Sequence, residues 1–385
     1  MKRKRTGYYL PISTVGNEKC LAFVPDPLPP KPPLQIDPGL QAIIDDALVS
    51  LGRLDSTASM LPDSSLLLYM YIRKEAVLSS QIEGTQSSLS DLLLFESNEI
   101  PGVPLDDVQE VSNYVAAMNH GLERIKSGFP ISLRLLREIH KILLSKGRGS
   151  GKEPGEFRRS QNWIGGTRPG NASFIPPPPD KVKDCLGDLE NYIHDKPIKT
   201  PILVKAALSH VQFETIHPFL DGNGRLGRLL IALLLCSERL LSEPLLYLSV
   251  YFKTHRQIYY DLLNRVRIDG DWESWLRFFM DGVKETSENT IKMTKTLAAL
   301  LDRDREIIKS IGKSSASVLK VHTVLQKKPV ASINLISKSS ELSIPTVTSA
   351  LKKLQSLGIV REITNHRRGR LFSYEKYIQL LNEGE

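Results

Sequence analysis

The chain has few cysteines and no long apolar run, and these two absences exclude several classes of protein. Its three cysteines among 385 residues are far apart and odd in number: Cys20, Cys185 and Cys236. They argue against a disulfide framework and a zinc site, and they fit a reducing cytoplasm. No segment approaches the roughly 18 apolar residues that a membrane helix needs. The basic start MKRKRTGYYLPIS lacks the apolar core of a secretory leader, so we expect a cytoplasmic protein with no membrane partner.

Negative charge is scarce at both ends of the chain. Residues 313–385 contain 12 Lys and Arg against 5 Asp and Glu, and residues 2–5 are all basic, so the net charge of +8 is concentrated in these segments. Only the ends therefore favour a polyanionic partner, and a merely solvated basic surface is the alternative. The composition, 41% hydrophobic and 24% charged, is that of a globular protein, and the length predicts two or three domains.

Helical periodicity dominates the chain up to about residue 310. Residues 22–38, AFVPDPLPPKPPLQIDP, are rich in proline and predict an extended arm. From residue 39 onwards, apolar residues recur at helical spacing in a series of segments that ends near residue 308 and includes 132–147 and 252–268. A loop rich in glycine and proline, 147–179, interrupts this series, and its portion 166–171 predicts the tip of a hairpin. The pattern indicates a mainly α fold with one small hairpin.

The C-terminal residues have a different pattern. They predict three short helices and then two strands, GIVREITN and GRLFSY, joined by HRRG. Ser343 is the expected N-cap of the third helix, Pro345 lies in its first turn, and Gly358 ends it. This order is typical of a winged helix. We therefore expect an N-terminal arm, a helical region, a main helical domain and a winged helix, at residues 1–38, 39–105, 106–310 and 311–385.

The segment HPFLDGNGRLGR contains a turn suited to binding an anion. Gly222 and Gly224 flank Asn223 immediately before an apolar helix begins. The first N–H groups of a helix have no partner within it, so they bind anions such as phosphate. Glycine is needed there because a side chain would keep a phosphate from the backbone. A DGNG sequence alone is most often only a tight turn.

The neighbouring side chains make phosphate chemistry the stronger interpretation. Arg225 and Arg228 are three residues apart, so they share one face of the new helix beside the turn. Guanidinium groups suit phosphate oxygens. Asp221 is placed to bind Mg²⁺ beside phosphates, and His217 can be a neutral base that takes a proton from an incoming hydroxyl.

This segment matches every specified position of HPFx(D/E)GNGRxxR, and the chain resembles the Fic/Doc superfamily over most of residues 20–310. The resemblance implies a helical core with a small β-hairpin flap that transfers AMP from ATP to a Ser, Thr or Tyr of a target protein and releases pyrophosphate. It implies that His217 is the general base, that Asp221 binds Mg²⁺, and that the nucleotide contacts Asp221, Gly222, Asn223, Gly224, Arg225 and Arg228. Other members transfer phosphate or phosphocholine, usually with departures from the motif.

An upstream segment, LSSQIEGTQ, resembles the inhibitory pattern (S/T)xxxE(G/N) of the same family through Ser79, Glu83 and Gly84. A carboxylate can form a charge-assisted pair with an arginine of the turn. The resemblance implies that Glu83 pairs with Arg228 and that the protein inhibits itself. The alternative is an ordinary helix end at which Gly84 is the stop.

The resemblance also suggests residues around the site. Residues 165–176 resemble the flap, which pairs with the target's backbone as an added strand, and Ile175 is the expected clamp. Tyr259 and Tyr260 fall where relatives line the adenine pocket, and a core aromatic pair is the alternative.

The C-terminal module leaves two functions open. As a DNA reader it would place side chains in the groove and on the phosphates, namely Thr346, Thr348, Lys352, Lys353, Arg367, Arg368 and Arg370. Winged helices also dock proteins or form homodimers. The chain as a whole is therefore expected to be an adenylyltransferase, with two alternatives: a DNA-binding regulator that senses nucleotide, or an enzyme that removes AMP with the help of Glu83. The target protein and its hydroxyl remain open.

Overall fold

The computed structural model of the chain describes residues 3, 6–13, 19–59, 64–97, 103–312, 314–364 and 369–382. The helical pattern predicted from the sequence is confirmed by α1 Pro38–Ser59, α2 Ser64–Ile82, α3 Leu89–Glu96, α4 Leu105–Lys126, α5 Leu133–Leu143, α6 Pro179–Ile193, α7 Ile202–Ile216, α8 Asn223–Ser237, α9 Ser249–Thr254, α10 Arg256–Asp269 and α11 Trp272–Lys309. None of the helices in these ranges combines the length with the apolar character that a membrane span requires.

An antiparallel hairpin forms much of the N-terminal arm, and this element was not predicted. Strands β1 (Gly7–Ser13) and β2 (Lys19–Pro25) pair so that Gly7 is opposite Pro25 and Ser13 is opposite Lys19. The prediction of a single hairpin before residue 310 was therefore wrong. Residues 26–37, which include most of the prolines of the arm, have neither helix nor strand.

Helices α7 and α8 lie at the centre of the core. Nearly every residue of both is buried, including charged side chains such as Glu214 of α7 and Arg225 and Arg228 of α8. They approach closely at Gly227, where a Cβ would lie 2.6 Å from Oε1 of Glu214. The short connection 217–222 is therefore held between two fixed helix ends, which makes its geometry well defined.

Two predicted helices end earlier than expected. The stretch 252–268 is divided into α9 and α10 because the backbone leaves the helical conformation at His255, with φ −107° and ψ 36°. The stretch 132–147 ends at Leu143, and the following turns contain Gly147 and Gly149 with φ of +74° and +87°. These positive angles favour glycine and cannot continue a right-handed helix.

The C-terminal module is a winged helix, as predicted. Its elements are α12 Ser315–Lys327, β3 Val330–Ser332, α13 Ile333–Ser340, α14 Ile344–Ser356, β4 Arg361–Glu362, β5 Leu371–Ser373 and α15 Glu375–Asn382. The sheet has the order β3–β5–β4. Ser343 caps α14, since its hydroxyl accepts a hydrogen bond from the N–H of Thr346 at 3.4 Å. Strand β3 and helix α15 were not predicted, and α15 packs against α11.

Candidate active site

His217 lies at the end of α7, and the hydrogen bonds of its backbone groups fix its position. Its φ of +48° is left-handed, and its N–H donates to the carbonyl of Phe213 at 2.9 Å. Its own carbonyl accepts from Nε of Arg158, also at 2.9 Å. Arg158 in addition donates its backbone N–H to Pro218 at 2.9 Å. The loop before the flap therefore holds the main chain on which the imidazole is mounted.

The imidazole of His217 is held in its neutral form. Burial lowers the pKa of His217 to about 3, and the positive charges of Arg267 and Arg158 act in the same direction. Its Nδ1 is buried and has no hydrogen-bond partner among the described residues. A neutral ring has a lone pair with which to accept a proton, which is the form a general base requires.

The turn before α8 has the form of an anion cradle. Gly222 has a φ of +74°, and no side chain of the described residues caps the first turn of α8. Asn223 braces the turn, because its side-chain amide donates to the carbonyl of Phe219 at 2.8 Å while its oxygen accepts from the N–H of the same residue at 2.9 Å. The side chain of Asn223 thus shapes the loop. The N–H of Gly222 donates to Oδ1 of Asp221 at 2.6 Å, and the N–H groups of Asn223 and Gly224 are left to face a ligand.

His140 of α5 supports this turn from below and was missed by the sequence analysis. Its Nδ1 accepts from the N–H of Gly155 at 2.8 Å, so its Nε2 carries the proton and donates to the carbonyl of Asp221 at 2.9 Å. The ring also stacks on Phe219 with 3.7 Å between centroids. Burial lowers the pKa of His140 to about 4, which keeps this arrangement neutral.

Arg228 is occupied by the two residues of the upstream pattern. Its Nε donates to the hydroxyl of Ser79 at 2.8 Å, and its Nη2 donates to the carbonyl of Ser79 at 2.9 Å and to Oε1 of Glu83 at 2.7 Å. A Cβ built on Gly224 would clash with that carboxylate oxygen. Burial alone raises the pKa of Glu83, but Arg228 outweighs this effect, so the pKa is lowered and the carboxylate is charged.

Arg225 is held by a different carboxylate, Glu110 of α4. The two charged groups are 2.7 Å apart, and the side chains are 2% and 1% exposed. Glu110 also meets Arg148 at 3.1 Å, and Arg225 reaches Asp221 at 3.4 Å. Burial raises the pKa of Glu110 against the opposing effect of these arginines. The sequence offered no local signal for Glu110, because it is one of many acidic residues on a helix 115 positions before its partner.

Comparisons with known proteins agree with this geometry. The sequence model of the Fic/DOC family N-terminal region matches residues 42–123, and that of the Fic/DOC family matches residues 130–235. A third, described as winged helix-turn-helix DNA-binding, matches residues 314–361. The chain contains a Fic/DOC domain. The resemblance to the Fic/Doc superfamily and the mainly helical fold with a C-terminal winged helix are confirmed.

Several proteins are similar to this Fic chain. A protein adenylyltransferase Fic of Aedes aegypti is 32% identical over 221 residues, which are 56% of this chain and 41% of that protein. Its counterpart in Culex quinquefasciatus is 30% identical over 258 residues, or 66% and 47% of the two chains. The chain thus spans less than half the length of these curated relatives.

Solved structures support the fold. A Fic family protein from Desulfovibrio desulfuricans has a TM-score of 0.58 and 19% identity, and the match covers 90% of this chain and 98% of that one. Fic-1 of C. elegans has a TM-score of 0.50 and 24% identity, with coverage of 67% and 75%.

The flap of the Fic domain is a small hairpin, as predicted. Ile164 and Phe174 form an antiparallel bridge with an N–H to carbonyl distance of 2.8 Å, and residues 169–171 form a short 3-10 turn at the tip. Ile175 is buried, and its carbonyl accepts from the N–H of Phe23 in β2 at 2.9 Å. The edge of the flap at Ile175 is therefore paired with the N-terminal hairpin, and its role as a clamp stays a prediction.

The two tyrosines near the Fic motif differ in position. Tyr259 is fully buried, its hydroxyl is 2.8 Å from Nε2 of His210, and its ring stacks on Phe252 with centroids 4.7 Å apart. It therefore occupies a core position. Tyr260 is half-buried beneath the guanidinium of Arg256, which lies 5.1 Å from its ring centroid. Only Tyr260 retains a surface that a nucleotide base could contact.

Proposed function

We propose that this Fic chain transfers AMP from ATP to a Ser, Thr or Tyr hydroxyl of a target protein. The observation that carries the proposal is an uncapped helix start, at Gly222 to Gly224, directly beside a neutral His217. The names of the relatives, which are protein adenylyltransferases, support it. The target is expected to add a strand to the flap, and its identity is open.

In this mechanism the chain positions groups and moves one proton. The N–H groups at the start of α8 bind phosphate oxygens, as do the arginines of the motif. The target hydroxyl attacks the α-phosphorus while Nε2 of His217 takes its proton, and the bond from that phosphorus to the bridging oxygen of pyrophosphate breaks. A general base at this point contributes about 10²–10⁴-fold to the rate.

Asp221 fits the role of a Mg²⁺ ligand. Its side chain is 36% exposed, at the edge of the cradle. Mg²⁺ is commonly held by one or two carboxylates together with substrate phosphates and water. When bound, the ion would neutralise phosphate charge. Among the described residues, no group of three or more His, Cys, Asp or Glu residues is arranged to hold a metal ion by itself.

Glu83 is expected to inhibit the reaction. Its carboxylate stands over Gly224 and holds Arg228, the group available for the γ-phosphate. Two anions compete for the same guanidinium, so a productive triphosphate must displace Glu83. Ser79 strengthens the inhibited state, because it gives Arg228 two further acceptors.

ATP labelled at the α- or the γ-phosphate tests the reaction class. Purified Glu83→Gly protein, incubated with a lysate and Mg²⁺, should label proteins from α-labelled ATP, and removal of Mg²⁺ by a chelator should stop it. Label from γ-labelled ATP alone would indicate phosphorylation instead. The absence of label on any protein would favour the alternative of a DNA-binding regulator that senses nucleotide.

Removal of AMP is a second candidate function, and the position of Glu83 beside the cradle favours it. A carboxylate there could orient a water molecule towards the phosphorus of a modified target. Wild-type protein would then release AMP from a modified target, and Glu83→Gly would not.

DNA binding is a further proposal for the winged helix, supported by the family match and by the exposed Lys352 and Lys353 of α14. Arg370 forms a bidentate pair with Glu362, so it is less available than the sequence predicted. Arg367 and Arg368 lie outside the described residues. Affinity of the full chain for duplex DNA should fall steeply with salt if phosphate contacts are made.

A further inference from the structure

A buried lysine joins the inhibitory helix to the winged helix. Lys74 of α2 is 1% exposed, and its ammonium donates to the carbonyl of Leu381, in the last turn of α15. The last carbonyls of a helix have no partner within it, and the C-terminal end of a helix favours a cation. Lys74 thus caps α15 with a charge-assisted hydrogen bond, in a place where lysine is seldom found.

The other end of α15 is fixed by a separate contact. Tyr374 immediately precedes the helix, and its hydroxyl donates to Oδ2 of Asp304 in α11 at 2.6 Å. The same hydroxyl is 3.3 Å from Nε2 of His322 in α12. Tyr377 of α15 is completely buried, and α12 also contacts α2. The winged helix is therefore seated on α2 and α11 through α12 and α15.

Helix α2 connects this contact to the active site. Ser79 is five residues beyond Lys74, which corresponds to about 7.5 Å along the helix. Between them the helix has no glycine or proline at which it could bend. Ser79 and Glu83 then hold Arg228. A restraint on Lys74 is consequently a restraint on the residues that block the cradle.

The junction contains unfilled space. A cavity of about 280 Å³ lies between α2, α11 and α15, lined by groups that include Lys74, Tyr247, Thr286, Lys292 and Leu380. The contact of α15 with α2 can therefore be broken with a smaller loss of packing than a contact in the core.

We propose that the winged helix keeps α2 in its inhibitory position through the contact of Lys74 with the end of α15. This inference rests on the proposed inhibition by Glu83, and it adds the element that regulates it. Disturbing the C-terminal module, by a ligand or a substitution, would then release the Fic site. A contact that only stabilises the fold would have no such effect on transfer.

Lys74→Met in the full chain tests the inference, because methionine keeps the apolar stem and removes the donor. The matched control is Lys338→Met, the same substitution at an exposed position of α13. Couplings between sites commonly change activity 5- to 150-fold. We expect Lys74→Met to raise transfer from α-labelled ATP about 10-fold and Lys338→Met to leave it unchanged. In a Glu83→Gly background, Lys74→Met should add nothing.

Two outcomes would overturn the inference, and each is distinct from a failure of the proposed function. If Glu83→Gly raised transfer while a folded Lys74→Met protein stayed at the wild-type level, inhibition by Glu83 would stand and the coupling would not. Amide hydrogen exchange gives a second measurement that needs no activity. Lys74→Met should speed exchange at residues 76–83, and unchanged exchange there would reject the coupling even if no variant transferred AMP.

Discussion

Two arginine–glutamate pairs on α8 use the same chemistry in different surroundings. Arg225 and Glu110 are both almost fully buried, at 2% and 1% exposure, whereas Glu83 keeps 33% exposure beside Arg228. A buried charge that loses its partner is left in a medium that cannot solvate it, but an exposed carboxylate can move into water. The Glu110 pair is therefore a permanent support, and the Glu83 pair is one that a substrate can replace.

The largest effect on activity is expected at His217, the proposed base of the reaction that both arginines support. His217→Ala should reduce AMP transfer about 10²–10⁴-fold, because the other imidazole beside the cradle, His140, has both ring nitrogens engaged in hydrogen bonds. Initial rates with α-labelled ATP would measure this. A folded His217→Ala protein with wild-type rates would mean that the proton goes elsewhere.

Removal of the Glu83 carboxylate should have the next largest effect on AMP transfer. Glu83→Gly frees Arg228 and opens the space above Gly224, so we expect transfer to rise about 10- to 100-fold, the usual size of a coupling between sites. Glu110→Gly is the matched control, and it should lower transfer. Equal effects of the two substitutions would show that the pairs do not differ in role.

The free energy of unfolding should depend more on the Glu110 pair than on the Glu83 pair. Glu110→Ala leaves Arg225 buried without its partner and should cost about 3–5 kcal/mol in the free energy of unfolding. Glu83→Ala should cost less, about 1 kcal/mol, because Glu83 is partly solvated and the buried Arg228 keeps two hydrogen bonds to Ser79 and a nearby carboxylate, Glu214. Denaturant titrations of both variants would measure this. A loss at Glu83 as large as that at Glu110 would contradict the distinction.

The smallest effect concerns Glu75, another carboxylate whose charge interacts with that of Arg228. Burial raises the pKa of Glu75 to about 7, so its folded state binds a proton that the unfolded chain releases near pH 4.5. Its contribution to stability is therefore lost as the pH rises from about 4.5 through 7. Relative to wild type, Glu75→Gln should gain about 1–2 kcal/mol of stability between pH 6 and pH 8. A difference that does not vary with pH would reject this assignment.

The part of the site that could be predicted from the sequence is the part whose functional residues are contiguous. The turn from His217 to Arg228 could be recognised because a helix start, its glycines and its arginines must be neighbours in the chain. Glu83 was found only through a family pattern, since no local rule links residues 145 positions apart. Glu110 and His140 were missed for the same reason: their roles arise from the packing of α4 and α5 beneath the turn.

The fold shows a similar limit. Long helices were predicted because their periodicity extends over many residues, whereas β1, β3 and α15 were missed because each is short. The first strand gains its stability from pairing with β2, and α15 from packing on α11. Tyr259 illustrates the limit for side chains: its sequence position fits a nucleotide pocket, and the hydrogen bond to His210 places it in the core.

The most direct test of the account compares Glu83→Gly with the double variant Glu83→Gly, His217→Ala. Both proteins would be incubated with α-labelled ATP and Mg²⁺, and the label on protein would be counted. The account predicts strong label for the single variant and background for the double variant. Label that persists without the imidazole, or no label from the single variant, would contradict it.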